Sequence, residues 1–418
     1  MSSITMADGK VLIIGGGVAG LSAALGLARL GLEVQIVEKK SFLGGHAIRF
    51  SCKATDRCVK CGACRVEETL KNVTNNPKIK VWTETRVINV SKANTFTIHL
   101  SKRPEYINPR KCTRCGACFD QCPESGALIQ GYSKYNFPFV AICEENCSFM
   151  QDRSCCICQE ICPEAAIQLD GNSQQKVYLA DAIIIATGFQ PFNPESKPYG
   201  YNSFPNVITN LQLEEMLKRE SIVLRPSDNT IPKKIAFIQC VGSRDAKLNH
   251  LWCSKVCCAS ALRLARLIKS RQPEIEISFF YIDVQTFGRD FQAFYAAVQN
   301  EVRMIRNIPG DIYQTEDKRL QVNFYDAALS ITQEEIFDMV ALSIGITPSS
   351  ELNKMVELFE LRLDETGFAF GSGEAQWFSV PGVYTAGTAS GPMSIAETVA
   401  SASQAVTAVA KLLRQKAG

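Results

Sequence analysis

No apolar run in this 418-residue chain approaches the ~18 residues that a membrane span needs. The longest are short strand-like pieces such as Ala182–Ala186, so no direct membrane insertion is expected. Nor is there a block of lysine and arginine: the formal net charge is +3, which leaves no electrostatic footprint for nucleic acid or anionic lipid. Histidine is scarce, with only His46, His99 and His250, and neither a Ser/His/Asp set nor a paired carboxylate stands out, so hydrolysis lacks its usual groups. Met1 to Lys10 is polar and leads straight into a strand, without the apolar stretch of a secretory signal; the expected address is cytoplasmic.

What is plentiful is cysteine, 18 in all. In a reducing compartment so many thiols cannot form a disulfide framework, and metal binding becomes the leading explanation. The length allows two or three lobes, and 46% hydrophobic with 21% charged residues is an ordinary globular composition.

Val11–Ile14 reads as a strand and is followed at once by Gly15, Gly16, Gly17, Val18, Ala19 and Gly20, a G-x-G-x-x-G turn. Leu21 to Leu30 then has helical spacing, Gly31 ends it, and Leu32–Val37 forms a second strand closing on Glu38. Such a βαβ unit lets backbone approach a pyrophosphate at the helix N-terminus, and Glu38 stands where an acid takes a ribose hydroxyl. Two later pieces favour FAD over NAD. Ala182–Gly188 (AIIIATG) is a strand ending in Ala-Thr-Gly, and Gly382–Pro392 (GVYTAGTASGP) is a strand and small-residue turn entering a helix from Ser394. Both resemble strands of two-dinucleotide-domain flavoproteins, whose last turn lies against the ribityl chain. Those proteins usually show Gly-Asp there, whereas this chain has Gly387-Thr388, so a hydroxyl or backbone group must replace the carboxylate.

Where relatives of that fold carry a second nucleotide loop, the strand Lys234–Gln239 runs instead into Cys240, Val241, Gly242, Ser243 and Arg244, then Cys253, Cys257 and Cys258. Thiols in place of a phosphate cradle argue against pyridine-nucleotide binding there and suit iron–sulfur ligation.

Between the strand near Val81–Val90 and Tyr178 lies Lys111–Pro123, KCTRCGACFDQCP, the C-x2-C-x2-C-x3-C-P run of bacterial ferredoxins. In two-cluster ferredoxins the last cysteine of each run serves the other cluster, so Cys112, Cys115 and Cys118 pair with Cys162. The second cluster takes Cys155, Cys158 and Cys122. Asp152 occupies its remaining position, so the fourth ligand is Cys143 or Cys147, with Cys147 favoured. Cys156 has no role. A further group, Cys52, Cys58, Cys61 and Cys64 in SCKATDRCVKCGACR, can house another [4Fe–4S] cluster, although no trailing Cys-Pro follows and zinc is the rival metal. Three clusters are expected, a fourth being the Cys52–Cys64 group. His46, after Gly44-Gly45, is a candidate neighbour of the cofactor; His250 is a candidate partner of a cluster sulfide; His99 reads as plain strand.

The stretch IQCVGSRDAKLNHLWCSKVCCASALRLA resembles the matching stretch of the heterodisulfide reductase A-type flavin subunits, and the resemblance runs from Val11 to the C-terminal helix. That family includes flavin subunits of quinone-interacting oxidoreductase and ATP-independent benzoyl-CoA reductase complexes. This chain reads as a short form of it. The resemblance implies an α/β fold of two dinucleotide-binding-type domains, thioredoxin-reductase-like, with an inserted ferredoxin-like 2[4Fe–4S] segment. It implies that Cys240, Cys253, Cys257 and Cys258 ligate a cluster beside the flavin. FAD contacts are implied at Gly15, Gly17, Val18, Ala19, Gly20, Glu38, Lys39, Gly44, Gly45, His46, Val87, Ala186, Thr187, Gly188, Gly387, Thr388, Pro392 and Ile395. Several members have a lysine near flavin N5 five residues after the Cys-Cys pair; here it is Arg263, which keeps the charge but cannot give up its proton.

The expected domains are an FAD domain at 1–105, 173–228 and 336–418, an inserted ferredoxin-like domain at 106–172, and a second Rossmann-like domain at 229–335. The expected function is an FAD/[4Fe–4S] electron-transfer subunit of an anaerobic oxidoreductase complex, with flavin-based bifurcation as an extension. Expected partners are redox subunits resembling the B and C components of heterodisulfide reductase, hydrogenase linkers or membrane quinone-linked subunits, together with ferredoxin and a second copy of the chain. The alternatives are a stand-alone NAD(P)H-dependent disulfide or thiol reductase using Cys257 and Cys258, and a zinc-bearing scaffold with a vestigial flavin site.

Overall fold

The computed structural model describes residues 9–417 apart from 125, 136, 287–290, 328 and 371–379. Most of the polar leader read above, up to residue 8, therefore lies outside the described residues.

The first lobe is built on five parallel strands in the order Val383–Thr385, Ala182–Ile185, Lys10–Ile14, Glu33–Val37 and Ile79–Trp82. Their near-continuous Val and Ile runs suit a sheet covered on both faces. On one face the helices Val18–Arg29 and Ile395–Ala417 bury Ala23, Ala24 and Leu27 with Ala402, Ala405 and Val406. The helices pack closely because the contact is made of small residues: a Cβ on Gly26 would lie 3.0 Å from Val406. The other face carries an antiparallel sheet of Thr85–Lys92, Phe96–Lys102 and Gln174–Ala180, whose Phe96, Ile98 and Leu100 pack onto Leu12, Ile183 and Ile185. The stretch expected as one strand near Val81–Val90 is thus two, in different sheets. Glu84, at φ 53°, makes the turn between them.

The segment between Lys102 and Gln174, joining neighbours of that antiparallel sheet, holds a hairpin, Leu128–Tyr132 with Pro138–Ile142, and three short helices. It leans on the first lobe through an isolated bridge from Leu43 to Tyr132.

The second lobe repeats the plan: a parallel sheet ordered Val207–Thr209, Met339–Ile344, Lys234–Val241, Glu276–Phe280 and Arg303–Ile305. Helices Asn210–Arg219 and Cys257–Arg271 cover one face, and the antiparallel meander of Asp311–Gln314, Leu320–Asp326 and Ile331–Phe337 covers the other. Two strands expected in the FAD domain, Val207–Thr209 and Met339–Ile344, are hydrogen-bonded into this second sheet, so the lobe extends on both sides of 229–335. A buried apolar strand reads alike for either sheet; only its long-range partner decides.

Candidate functional site

At the carboxyl ends of the first sheet's central strands the glycine turn closes on two other turns. A Cβ on Gly15 would stand 2.3 Å from the Ala186 carbonyl oxygen, and one on Gly20 1.9 Å from that of Gly15. One on Gly387 would meet Ala19 Cβ at 2.6 Å, and one on Gly188 would lie 3.8 Å from Thr388 Oγ1. Gly44 N donates to Gly16 O at 2.7 Å, and Gly45 faces Gly17. Glu38 accepts from Gly16 N at 2.7 Å and Lys40 N at 2.8 Å, which fixes the acid at the end of its strand. His46 stacks against Phe189 at 4.8 Å, with Nε2 3.2 Å from Phe189 O. Segments far apart in sequence thus form one glycine-floored cradle at a helix N-terminus, the shape a dinucleotide pyrophosphate needs. Thr187 Oγ1 is buried in it without a hydrogen-bond partner, a polar atom that the ribityl side of FAD would satisfy.

Not every expected contact gathers there. Lys39 is drawn to Glu351 at 3.5 Å, and Val87 packs into the core beneath the antiparallel sheet. Ile395 opens the last helix and faces the Cys52–Cys64 loop, where a Cβ on Gly62 would lie 3.1 Å from it; Pro392 is half-buried in the turn just before.

In the inserted segment the thiols sort into two neighbourhoods. Burial pushes Cys118 up to about 11, helped by the adjacent Cys112, Cys115 and Cys162. The same four line one small hollow, with Ile107, Val140 and Ile167 among its apolar walls. Burial likewise pushes Cys158 up to about 12, with Cys147, Cys118, Cys122 and Cys155 around it, and raises Cys122 with Cys147 and Cys155 beside it. Cys147, the favoured one of the two candidates left open by spacing, stands beside Cys122 and Cys158. Thiols held protonated by burial are ones a metal must deprotonate on binding, so loading releases protons.

The Cys58–Cys64 loop repeats the backbone of the ferredoxin run. Lys60 and Gly62 have φ 52° and 83°; Arg114 and Gly116, at the same places between Cys112 and Cys118, have 60° and 90°. In each case a helix begins at the next residue, Ala63 or Ala117. Left-handed lysine and arginine are uncommon, and the shared pattern marks a shared loop rather than shared composition. Cys52, Cys58 and Cys64 are exposed and Cys61 is half-buried.

The quartet of the second lobe sits where the central strand Lys234–Val241 ends. Cys257, deeply buried, lies against Cys240 and Cys258; it is held well above the usual thiol range while its two neighbours are lowered, Cys258 to about 7. Cys253 has Cys240 and Cys258 as neighbours. The loop is strained: Cys240, Arg244, Asn249 and Lys255 all have positive φ, between 54° and 62°, each costing about 1 kcal/mol or more and persisting only where the surroundings enforce it. Gly242 has no room for a side chain, Phe192 lying 2.1 Å from its would-be Cβ. His250 braces the loop, its Nδ1 2.9 Å from Gly242 O and its ring between Phe192 and Trp252. Ser243 Oγ is buried here without a partner. Arg244, paired with Asp283 at 2.5 Å, faces Cys240 and Cys253 and is a cation at the quartet to which the sequence reading gave no role. Its signal was a cation four residues from a cysteine, which spacing alone cannot separate from a surface charge. Arg263 is half-buried beside Cys61, and burial lowers its pKa.

Among the described residues no three Cys, His, Asp or Glu side chains come together tightly enough for a single metal ion. A cubane spreads its four thiolates over a core of irons and sulfides, so its ligands stand further apart than those of one ion.

Residues 10–58 match the family described as FAD dependent oxidoreductase, and residues 105–125 that described as 4Fe-4S binding domain. The A component of the H(2):CoB-CoM heterodisulfide,ferredoxin reductase of Methanothermobacter marburgensis is 33% identical over 429 residues, covering 96% of this chain. The second iron-sulfur A component of the CoB--CoM heterodisulfide reductase of Methanopyrus kandleri is 34% identical over 423 residues, covering 97%. Over nearly its whole length the chain is similar to A components of heterodisulfide reductase. It spans 64% of the length of each of these two relatives. The two matched segments support binding of FAD and of a 4Fe–4S cluster. Thioredoxin reductases of T. acidophilum (TM-score 0.54, 14% identity, 96% of this chain and 97% of that one) and Lactococcus lactis (0.55, 14%, 97% and 99%) share the two-lobe fold. Among the described residues no helix is long and apolar enough to cross a membrane.

Proposed function

We propose that the chain is an electron-transfer subunit that relays electrons between FAD and [4Fe–4S] clusters within a multisubunit cytoplasmic complex. The observation that carries this reading is the thiol quartet at the end of Lys234–Val241, on a strained loop where a pyridine-nucleotide domain needs a phosphate cradle. FAD takes electrons in pairs and can release them singly, and clusters of differing surroundings lie on either side of it in potential. On this reading Cys112, Cys115, Cys118 and Cys162 hold one cluster and Cys122, Cys147, Cys155 and Cys158 a second. Cys240, Cys253, Cys257 and Cys258 hold a third, and Cys52, Cys58, Cys61 and Cys64 a fourth. Donor and acceptor are partner redox subunits, and splitting of a flavin electron pair between two acceptors is an extension of the same reading.

The test is anaerobic purification followed by iron and flavin analysis and paramagnetic resonance after dithionite. The expected protein is brown, holds FAD, shows cubane signals on reduction and is not bleached by NADPH alone. Flavin-replete protein with only trace iron, or rapid bleaching by NADPH, overturns the proposal, the latter in favour of a self-sufficient disulfide reductase.

A further inference from the structure

Glu214 lies on helix Asn210–Arg219 of the second lobe, yet its carboxylate is spent on the first. It is 1% exposed and pairs with Lys53 Nζ at 2.5 Å; Lys53 is itself 3% exposed. Its other oxygen accepts from Ser51 N at 3.1 Å and Ser51 Oγ at 3.0 Å. Ser260 Oγ, on the helix that begins at Cys257, completes the set at 3.4 Å. Ser51 and Lys53 are the two neighbours of Cys52. One carboxylate therefore grips both sides of that cysteine, and Lys53 turns back on its own segment, donating to Ser51 O at 3.3 Å.

The grip is part of a longer seam. Ser260, Arg263 and Arg266, spaced by three along one face of the cluster helix, meet Glu214, Cys61 and Asp56 in turn, the last at 3.9 Å. From the other helix, Lys218 donates to Ile48 O at 2.6 Å and to Glu67 at 2.9 Å, and Glu215 pairs with Arg49. The Cys52–Cys64 loop is thus laid along two helices of the other lobe.

A buried ion pair is weak support for stability, since desolvation costs about as much as the attraction returns; an apolar pair of like volume often serves the fold as well. What the pair supplies that apolar side chains cannot is direction. Cys58, Cys61 and Cys64 sit on a ferredoxin-like loop whose backbone sets their spacing, whereas Cys52, itself exposed between buried Ser51 and Lys53, is six residues upstream with no such turn to orient it.

We infer that Glu214, with Lys53, is a positioning residue that holds Cys52 in place as the fourth thiolate of the Cys58–Cys61–Cys64 group, so that one cluster is completed only when the two lobes are docked. The inference rests on the cluster assignment proposed above and deepens it. Loss of one thiolate from a cubane leaves the iron at that corner free to depart as Fe²⁺, and one-electron oxidation of the remaining three-iron core by added ferricyanide gives it a resonance of its own.

The experiment compares the full chain carrying Cys52→Ser, the volume-matched pair Lys53→Met with Glu214→Leu, and Glu214→Gln, all purified anaerobically. Iron and FAD content, melting temperature and resonance spectra are read. Cys52→Ser defines the spectral change of this one group. The double variant is expected to melt as the parent does and keep FAD and the other clusters, while reproducing that change. Glu214→Gln, which still accepts from Ser51, is expected to show it in part.

If the double variant is folded and keeps a full four-iron signal for this group, the inference is wrong. If it does not fold, Glu214→Gln decides alone, and an unchanged spectrum there overturns the inference. If Cys52→Ser itself changes neither iron nor spectrum, the assignment of Cys52 fails first, a result that separates failure of the cluster reading from failure of the positioning role.

Discussion

Gly15 and Ala186, ends of adjacent strands, touch backbone to backbone: a methyl group on Gly15 would lie 2.3 Å from the Ala186 carbonyl oxygen, at a φ of 109° that side chains rarely adopt. Strain and clash act together at the floor of the cradle. Gly15→Val is expected to yield chain that retains iron but loses FAD at least about tenfold, or that accumulates poorly, since overpacking a tight site costs roughly 1–3 kcal/mol or more. Flavin fluorescence after denaturation measures it. A variant that keeps stoichiometric flavin refutes this placement of the cofactor.

Cys143 and Cys147 give the sharpest choice in the insert. Cys147 stands beside Cys122 and Cys158. Cys147→Ser should remove or degrade one cluster, up to about four irons, with the resonance of the Cys112 group intact. Cys143→Ser should leave iron content near that of the parent. The reverse pattern sinks the ligand set proposed for the second cluster.

Arg244 places a cation beside Cys240 and Cys253 while Asp283 holds its guanidinium in a two-pronged pair at 2.5 and 3.2 Å. A positive charge near a cluster favours the electron that reduction adds. Arg244→Met, which also leaves the Asp283 carboxylate unbalanced, is expected to lower that cluster's reduction potential by on the order of tens of millivolts, because net local charge is one of the levers on potential. A redox titration followed by paramagnetic resonance reads the shift, and no shift, or one to higher potential, rules the role out.

The glycine cradle and the ferredoxin run were legible because their chemistry is local: a tight turn needs contiguous glycines, and cubane thiolates recur at fixed short spacing. Long-range choices were not. Whether Met339–Ile344 joined one parallel sheet or the other, and whether Cys143 or Cys147 reached Cys122, depended on partners far along the chain. Lys53 and Glu214 gave no sign at all, since a lysine in a loop and a glutamate on an amphipathic helix read as solvated charges until folding buries them together. The backbone identity of the Cys58 and Cys112 loops lay in the open as C-G-A-C in both, yet only the paired positive φ values show that the likeness is conformational.

Glu84 offers a test of the fold through pH. It turns the chain between the two sheets of the first lobe, is 5% exposed, and is pushed by burial from 4.5 up to about 7. Arg103 opposes that shift from 2.5 Å, and nearby Glu144 adds to it. A carboxyl whose folded pKa is raised gives its full stabilisation below about 4.5 and loses it as pH climbs through about 7, because the buried site prefers the neutral form that the unfolded chain has already given up. The whole effect is on the order of 3 kcal/mol. Glu84→Gln, neutral at every pH, should therefore melt close to the parent at pH 5 and above it at pH 8, with the gap opening between. Thermal melts across that range measure it. A gap that is constant with pH, or that closes as pH rises, would show that Arg103 keeps Glu84 charged in the folded protein throughout.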